Sequence, residues 1–168
     1  NTESYMESGL MGTTIINENM TLFIDIYQLI DKADPGWSQH QSNEKSINSK
    51  FKILFAEDVL FFRNLVKGYL ESAGYNIVVA ENGKKALEAF QKQEFDIIIS
   101  DIEMPVMDGN EFMRNVRNIL NNKVVPSIAL TALTEEKDIK IIADSGFNIY
   151  EHKMDRERLL SRVAELLS

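Results

Sequence analysis

From Phe51 onward, short apolar runs alternate strictly with amphipathic stretches, and this pattern most constrains what the chain can fold into. Runs at Lys52–Ala56, Asn76–Ala80, 95–100, 124–130 and 147–151 read as strands. The third, Phe-Asp-Ile-Ile-Ile-Ser, is nearly continuous in branched residues, as a strand covered on both faces of a parallel sheet must be. Between the runs, Phe62, Leu65, Val66, Tyr69, Leu70 and Ala73 recur at helical spacing. Ala86, Leu87 and Phe90 form a shorter stripe, and Leu159, Leu160, Val163, Leu166 and Leu167 a third. Gly74, Gly83 and Gly146 fall at helix–strand junctions, where a left-handed residue is expected to turn the chain. Five β-α units predict a doubly wound α/β domain with a parallel five-stranded sheet.

In such a fold ligands bind outside the carboxyl ends of the strands. Glu57 and Asp58 follow the first run, Asp101 the third, Thr131 the fourth, and Lys153 lies near the end of the fifth. One carboxylate at a strand end is ordinary, but three carboxylates, a hydroxyl and an amine from four strands suggest a site. Like charges about 4 Å apart repel by about 4 kcal/mol at an effective dielectric near 20. A hard divalent cation relieves that repulsion, and Mg²⁺ takes one or two carboxylates together with water and phosphate oxygens. Glu57 and Asp58 are then the expected metal holders. Asp101 supplies one oxygen to the metal and the other as nucleophile, with Lys153 and Thr131 around the transferred phosphoryl group.

The net charge of −8 argues against a nucleic-acid partner. With no cysteine there is no disulfide and no thiolate metal site. The apolar fraction, 44 %, is that of an ordinary globular chain. No run reaches the roughly 18 apolar residues of a membrane helix, so no membrane insertion is expected, and no segment reads as a signal peptide. His40 and His152 stand in no metal-ligand spacing and read as solvent-facing side chains.

Residues 1–35 carry two apolar runs, 13–16 and 20–26, separated by the turn-prone Asn17, Glu18 and Asn19. They predict a β-hairpin followed by a short helical piece at 27–32. A lone hairpin is marginal, so the expectation is the tail of a larger domain, or else a hairpin packed on its neighbour. Residues 36–50 are polar and aperiodic and read as a linker, with Trp37 as a possible anchor.

Residues 51–168 resemble a CheY-like receiver (response regulator) domain. The resemblance is carried by the acidic pair in LFAED, the SDIEMPVMDG loop, LTA at 130–132 and YEHK at 150–153. It implies a flavodoxin-like (βα)₅ sheet, Asp101 as phospho-acceptor, and Mg²⁺ held by Glu57, Asp58, Asp101 and the backbone carbonyl of Glu103. Lys153 would contact the phosphoryl group. Thr131 and Tyr150 would be the switch pair that alters the face of the fourth helix, fifth strand and fifth helix, with Glu135, Lys140, Ile149 and Arg156 as candidate face residues.

Three departures stand out: Glu57 where Asp is more usual, Met154 where many receivers have Pro, and Glu103 two residues beyond the acceptor. Glu103 is expected to tune the lifetime of the phosphoryl-aspartate. The segment GTTIINENMTLFIDIYQLIDKADPGW resembles the end of the CheW-like domain of CheA-type chemotaxis histidine kinases. This implies a cytoplasmic receiver attached to a hybrid kinase, with a histidine kinase phosphodonor domain and other chemotaxis proteins as partners. No ATP-site motif of such a kinase occurs in the chain. The alternatives are a CheV-type coupling scaffold and, on the clustered acids alone, a Mg²⁺-dependent aspartyl phosphatase with Glu103 as general acid–base. A transcriptional regulator is not expected, since no output sequence follows the fifth helix.

Overall fold

A computed structural model describes residues 10–16, 19–24, 48–119, 124–131 and 136–168. The expected helix at 27–32, Trp37, His40, Ala132 and Glu135 lie outside the described residues. The chain divides into two units, Asn1–Glu44 and Lys45–Ser168.

In the first unit β1 (Leu10–Ile16) pairs antiparallel with β2 (Asn19–Ile24), with Thr14 opposite Thr21 and Ile16 opposite Asn19. The hairpin is the expected one, but its first strand starts earlier than the apolar run. The register shifts between Leu10 and Gly12, an irregularity that glycine tolerates and that let the ladder extend past the run.

In the second unit, β3 (Lys52–Ala56), β4 (Asn76–Ala80), β5 (Ile97–Asp101), β6 (Ser127–Thr131) and β7 (Ile149–His152) form one parallel sheet. The order is β4-β3-β5-β6-β7, the flavodoxin-like arrangement. Three strands start later than their apolar runs. Before β5, the Asp96 side chain accepts from Lys52 N at 2.7 Å, so that residue caps the strand rather than joining it. Before β6, Pro126 has no N–H to give the ladder and serves only as acceptor, from Ile98 N at 3.0 Å. Before β7, the Asn148 side chain accepts from Ser127 N at 2.8 Å, so it likewise closes the entry to the strand.

Alternate strand residues face opposite sides, so the sheet has two cores. Leu54, Ala56, Ile98 and Ala129 pack under α2 (Gly83–Lys92), α3 (Gly109–Arg114) and α4 (Glu136–Asp144), through Ala86, Phe112, Met113 and Ile142. Ile53, Phe55, Ile97, Ile99, Ile128 and Leu130 pack under α1 (Leu60–Ser72) and α5 (Arg156–Leu167), through Val66, Leu70, Leu159 and Val163. Each large apolar side chain buried this way contributes about 1.5–3 kcal/mol. The predicted stripes of α1, α2 and α5 are the buried faces. A π-helical turn, Asn115–Ile119, extends α3 and has no counterpart in the sequence reading.

Gly74 and Gly146 adopt positive φ, 95° and 104°, as expected. Gly83 does not. It opens α2, behind the Asn82 side chain that caps Lys85 N at 2.9 Å. Glycine is needed there because a Cβ would stand 2.6 Å from the Met107 carbonyl oxygen. Among the described residues no peptide bond is cis, the one before Met154 included.

Candidate functional site

The carboxyl edge of the sheet gathers the side chains that the strand ends deliver. Glu57 follows β3 and is fully buried, Asp58 is half-buried, and Asp101 closes β5 at 3 % exposure. Carboxylate oxygens of these three residues lie within 4.8 Å of one another. Lys153, just past β7, sends its ammonium into the group, 2.8 Å from Asp101 Oδ2 and 3.1 Å from Glu57 Oε2. That ammonium also stands 5.0 Å from the centre of the Phe62 ring, a cation–π contact from α1. Thr131 ends β6, buried, one residue beyond the Leu130 that pairs with Asp101.

The loop after Asp101 is built to hold it. Ile102 N donates to Asp101 Oδ1 at 2.7 Å, and Ser100 Oγ donates to the Asp101 carbonyl at 2.7 Å. Met107 N donates to the Pro105 carbonyl at 2.9 Å across Val106, whose φ is +74°. This is a γ-turn on a β-branched residue, a strained conformation. Asp108 then caps α3 through Glu111 N at 2.7 Å. Gly109 N donates to the Ile102 carbonyl at 2.9 Å. A Cβ on Gly109 would collide with the Asp101 carbonyl oxygen. Met-Asp-Gly is thus turn, cap and close approach in succession.

Electrostatically the group is short of positive charge. Burial pushes the Glu57 carboxyl up, and the charge of Asp101 adds to the shift. Asp101 is also raised by burial, against the pull of Lys153 and of the Ile102 and Glu103 N–H groups. For Lys153 burial works downward, but the hydrogen bonds and charges of Asp101 and then Glu57 outweigh it and hold the ammonium above its ordinary value. Asp58 Oδ1 is buried and accepts no hydrogen bond among the described residues, and Glu57 Oε2, also buried, has only its charge contact with the Lys153 ammonium at 3.1 Å. Oxygens so poorly served, with a third carboxylate beside them, form a donor set that suits a hard divalent cation.

Glu103 lies outside this acid cluster and its side chain is exposed. Tyr150 lies on β7, 40 % exposed. It borders a groove of about 340 Å³ between α4 and α5, lined also by Ile142, Phe147, Ile149, Glu151 and Arg162. Ile149 is the one of the expected face residues that lines it; Arg156 instead reaches Ser72 Oγ on α1 at 3.2 Å. His152 is exposed and stands opposite Thr131 in the ladder.

Two features went unread in the sequence. Arg63 on α1 donates from Nη1 to the carbonyls of both Glu57 and Asp58, at 2.8 and 3.1 Å. Its position six residues after Glu57 was the available signal. Glu151, 3 % exposed, lies between Arg158 Nε at 3.0 Å and Arg162 Nε at 3.2 Å. Two arginines one helical turn apart were the signal for that centre.

Residues 53–164 match the response regulator receiver domain. The chain belongs to this family. Receivers are the phospho-accepting partners in two-component signalling, and the chain is similar to several of known structure. Chemotaxis response regulator CheY4 of Vibrio cholerae is 35 % identical, with a TM-score of 0.65 over 70 % of this chain and 98 % of that one. The receiver domain of sensor histidine kinase PA1611 from Pseudomonas aeruginosa is 30 % identical at a TM-score of 0.65, over 70 % of this chain and 97 % of that one. That structure has a magnesium ion coordinated in its active-site cleft. The autoinducer sensor kinase/phosphatase CqsS of V. cholerae is 34 % identical over 67 % of this chain, which spans 17 % of its length. No helix among the described residues is long and apolar enough to cross a membrane.

Proposed function

We propose that this receiver accepts a phosphoryl group from a histidine kinase onto Asp101. The observation carrying this reading is the pairing of three clustered carboxylates with one ammonium, 2.8 Å from Asp101 Oδ2, at the carboxyl edge of the sheet. Glu57, Asp58, Asp101 and the Glu103 carbonyl hold Mg²⁺, which supplies positive charge against the phosphoryl oxygens. One Asp101 oxygen attacks the phosphorus of a phosphohistidine in line with its P–N bond. A P–O bond forms as that bond breaks, and the imidazole nitrogen keeps the electron pair and takes up a proton from solvent. Lys153 and Thr131 then pair with phosphoryl oxygens, and Tyr150 carries the change to the groove between α4 and α5. Glu103, exposed and two residues beyond the acceptor in the chain, sets how fast the acyl phosphate is lost.

The hairpin β1–β2 supports reading residues 1–35 as the closing strands of a CheW-like domain, 36–50 as linker and 51–168 as the receiver, within a hybrid CheA-type chemotaxis kinase of the cytoplasm. A CheV-type scaffold differs only in what precedes the CheW-like domain.

Incubation with Mg²⁺ and radiolabelled acetyl phosphate tests the site. One slowly decaying label per chain is expected on the wild type, none on Asp101→Asn, and an altered decay rate on Glu103→Asn. Rapid turnover of general phosphomonoesters without a lasting label would instead establish the aspartyl phosphatase. An unchanged decay for Glu103→Asn removes that residue's role.

A further inference from the structure

We infer that Arg63 is the positioning residue of the metal site, holding the Glu57–Asp58 turn so that both carboxylates face the same point; this rests on the receiver reading above. Two other hydrogen bonds also hold the turn: Glu57 N donates to the Ala80 carbonyl at the end of β4 at 3.0 Å, and Val59 N donates to Glu57 Oε1 at 3.2 Å. The two carbonyls at the head of the turn both point to one guanidinium nitrogen, Arg63 Nη1. A single donor that fixes two successive peptide planes also fixes the directions in which their side chains leave the backbone.

Arg63 itself is anchored. Its backbone N–H donates to the Val59 carbonyl at 2.9 Å in the first turn of α1, so the side chain springs from a rigid helix rather than a loop. Beyond the turn, the Arg63 guanidinium adds a small charge effect to the Lys85 pair that lowers the Glu81 carboxyl after β4. It touches none of the three clustered acids through a side-chain oxygen: both of its contacts at the turn are to backbone carbonyls. Its effect on a cation must pass through the turn, unlike that of Lys153, whose ammonium stands among the carboxylates.

Removing an outer residue that orients metal ligands typically weakens metal binding 10–100-fold. Calorimetric titration of the full chain with Mg²⁺ is therefore the test, run on the wild type, Arg63→Gln and Arg63→Lys, with melting curves in metal-free buffer alongside. Arg63→Gln should raise the Mg²⁺ Kd roughly tenfold. Arg63→Lys should recover most of that, because one ammonium can serve both carbonyls as Nη1 does. At saturating Mg²⁺ the rate of Asp101 labelling in both variants should stay within about threefold of wild type, a split between affinity and rate that general damage to the fold would not produce.

If the wild type binds Mg²⁺ and Arg63→Gln binds it equally well, the role of Arg63 is refuted while the receiver reading stands. If the wild type takes up no Mg²⁺, the receiver reading falls and this one with it. Should Arg63→Gln unfold, Arg63→Lys decides: near-wild-type affinity supports the inference and a tenfold loss overturns it.

Discussion

Among its described residues the domain contains two buried acidic centres, and the arithmetic of charge separates them. At the carboxyl edge Glu57, Asp58 and Asp101 share one ammonium, that of Lys153. On the flank, the single carboxylate of Glu151 is clasped by two guanidinium groups, from Arg158 and Arg162. Among the described residues the first leaves Asp58 Oδ1 without a hydrogen bond and Glu57 Oε2 with only the shared ammonium, whereas no oxygen of Glu151 is left so. A centre with a deficit of positive charge suits a cation. A centre with its charge met twice over is closed, and ties α5 to β7. Burial of acids alone therefore says little about function; the balance of partners does.

Three changes would break or sharpen this contrast. Gly109→Ala has the largest expected effect. The new Cβ must displace the Asp101 carbonyl, costing roughly 3 kcal/mol as overpacking does. Asp101 labelling should disappear while the Glu151 clasp is untouched, read by denaturant melts and the acetyl phosphate assay. Next comes the double variant Arg158→Ala/Arg162→Ala, which leaves the Glu151 carboxylate buried and alone. Its Tm should fall by several degrees, and by more than the two single variants together, because either arginine can serve the carboxylate. Additive singles would mean that the two do not share it.

The smallest effect is also the one with a sign. The folded-state pKa of Asp101 lies above its ordinary value, chiefly through burial. Its contribution to stability is therefore fully present below the unfolded value, near 4, and is lost as pH rises through the raised folded value. Without metal, Asp101→Asn, which is neutral throughout, should melt a few degrees above wild type at neutral pH, and the two should converge in acid. Mg²⁺ should stabilise the wild type and narrow the gap. A variant less stable than wild type at neutral pH would mean that the Lys153 pair outweighs the crowding of the acids.

Much of this was legible in the sequence because it rests on local periodicity. Strands β3 and β4 coincide with their apolar runs, and the stripes of α1, α2 and α5 are the buried faces. Glu57, Asp58, Asp101, Thr131 and Lys153 converge because a parallel sheet brings all its carboxyl ends to one edge. What escaped depends on backbone atoms or on partners distant in sequence. Pro126 and the side chains of Asp96 and Asn148 delay three strands through hydrogen bonds that periodicity does not register. Gly83 answers to a carbonyl rather than to a dihedral angle. Arg63 was invisible as a site residue because it touches only main chain, and Glu151 because a lone acid in a strand reads as an edge residue until its arginines are placed. Glu103 was expected close to the site by offset alone; its side chain points to solvent, outside the acid group.

The contact between Lys153 and Glu57 spans 96 residues of sequence. During synthesis the acids emerge first, and the amine that compensates them arrives only with the fifth β-α unit. Until β7 joins the edge of the sheet, the growing domain holds a cluster of like charges with no ammonium to relieve it. The last strand thus works as a keystone: its docking closes the longest loop in the site and marks the moment at which the acids gain their ammonium.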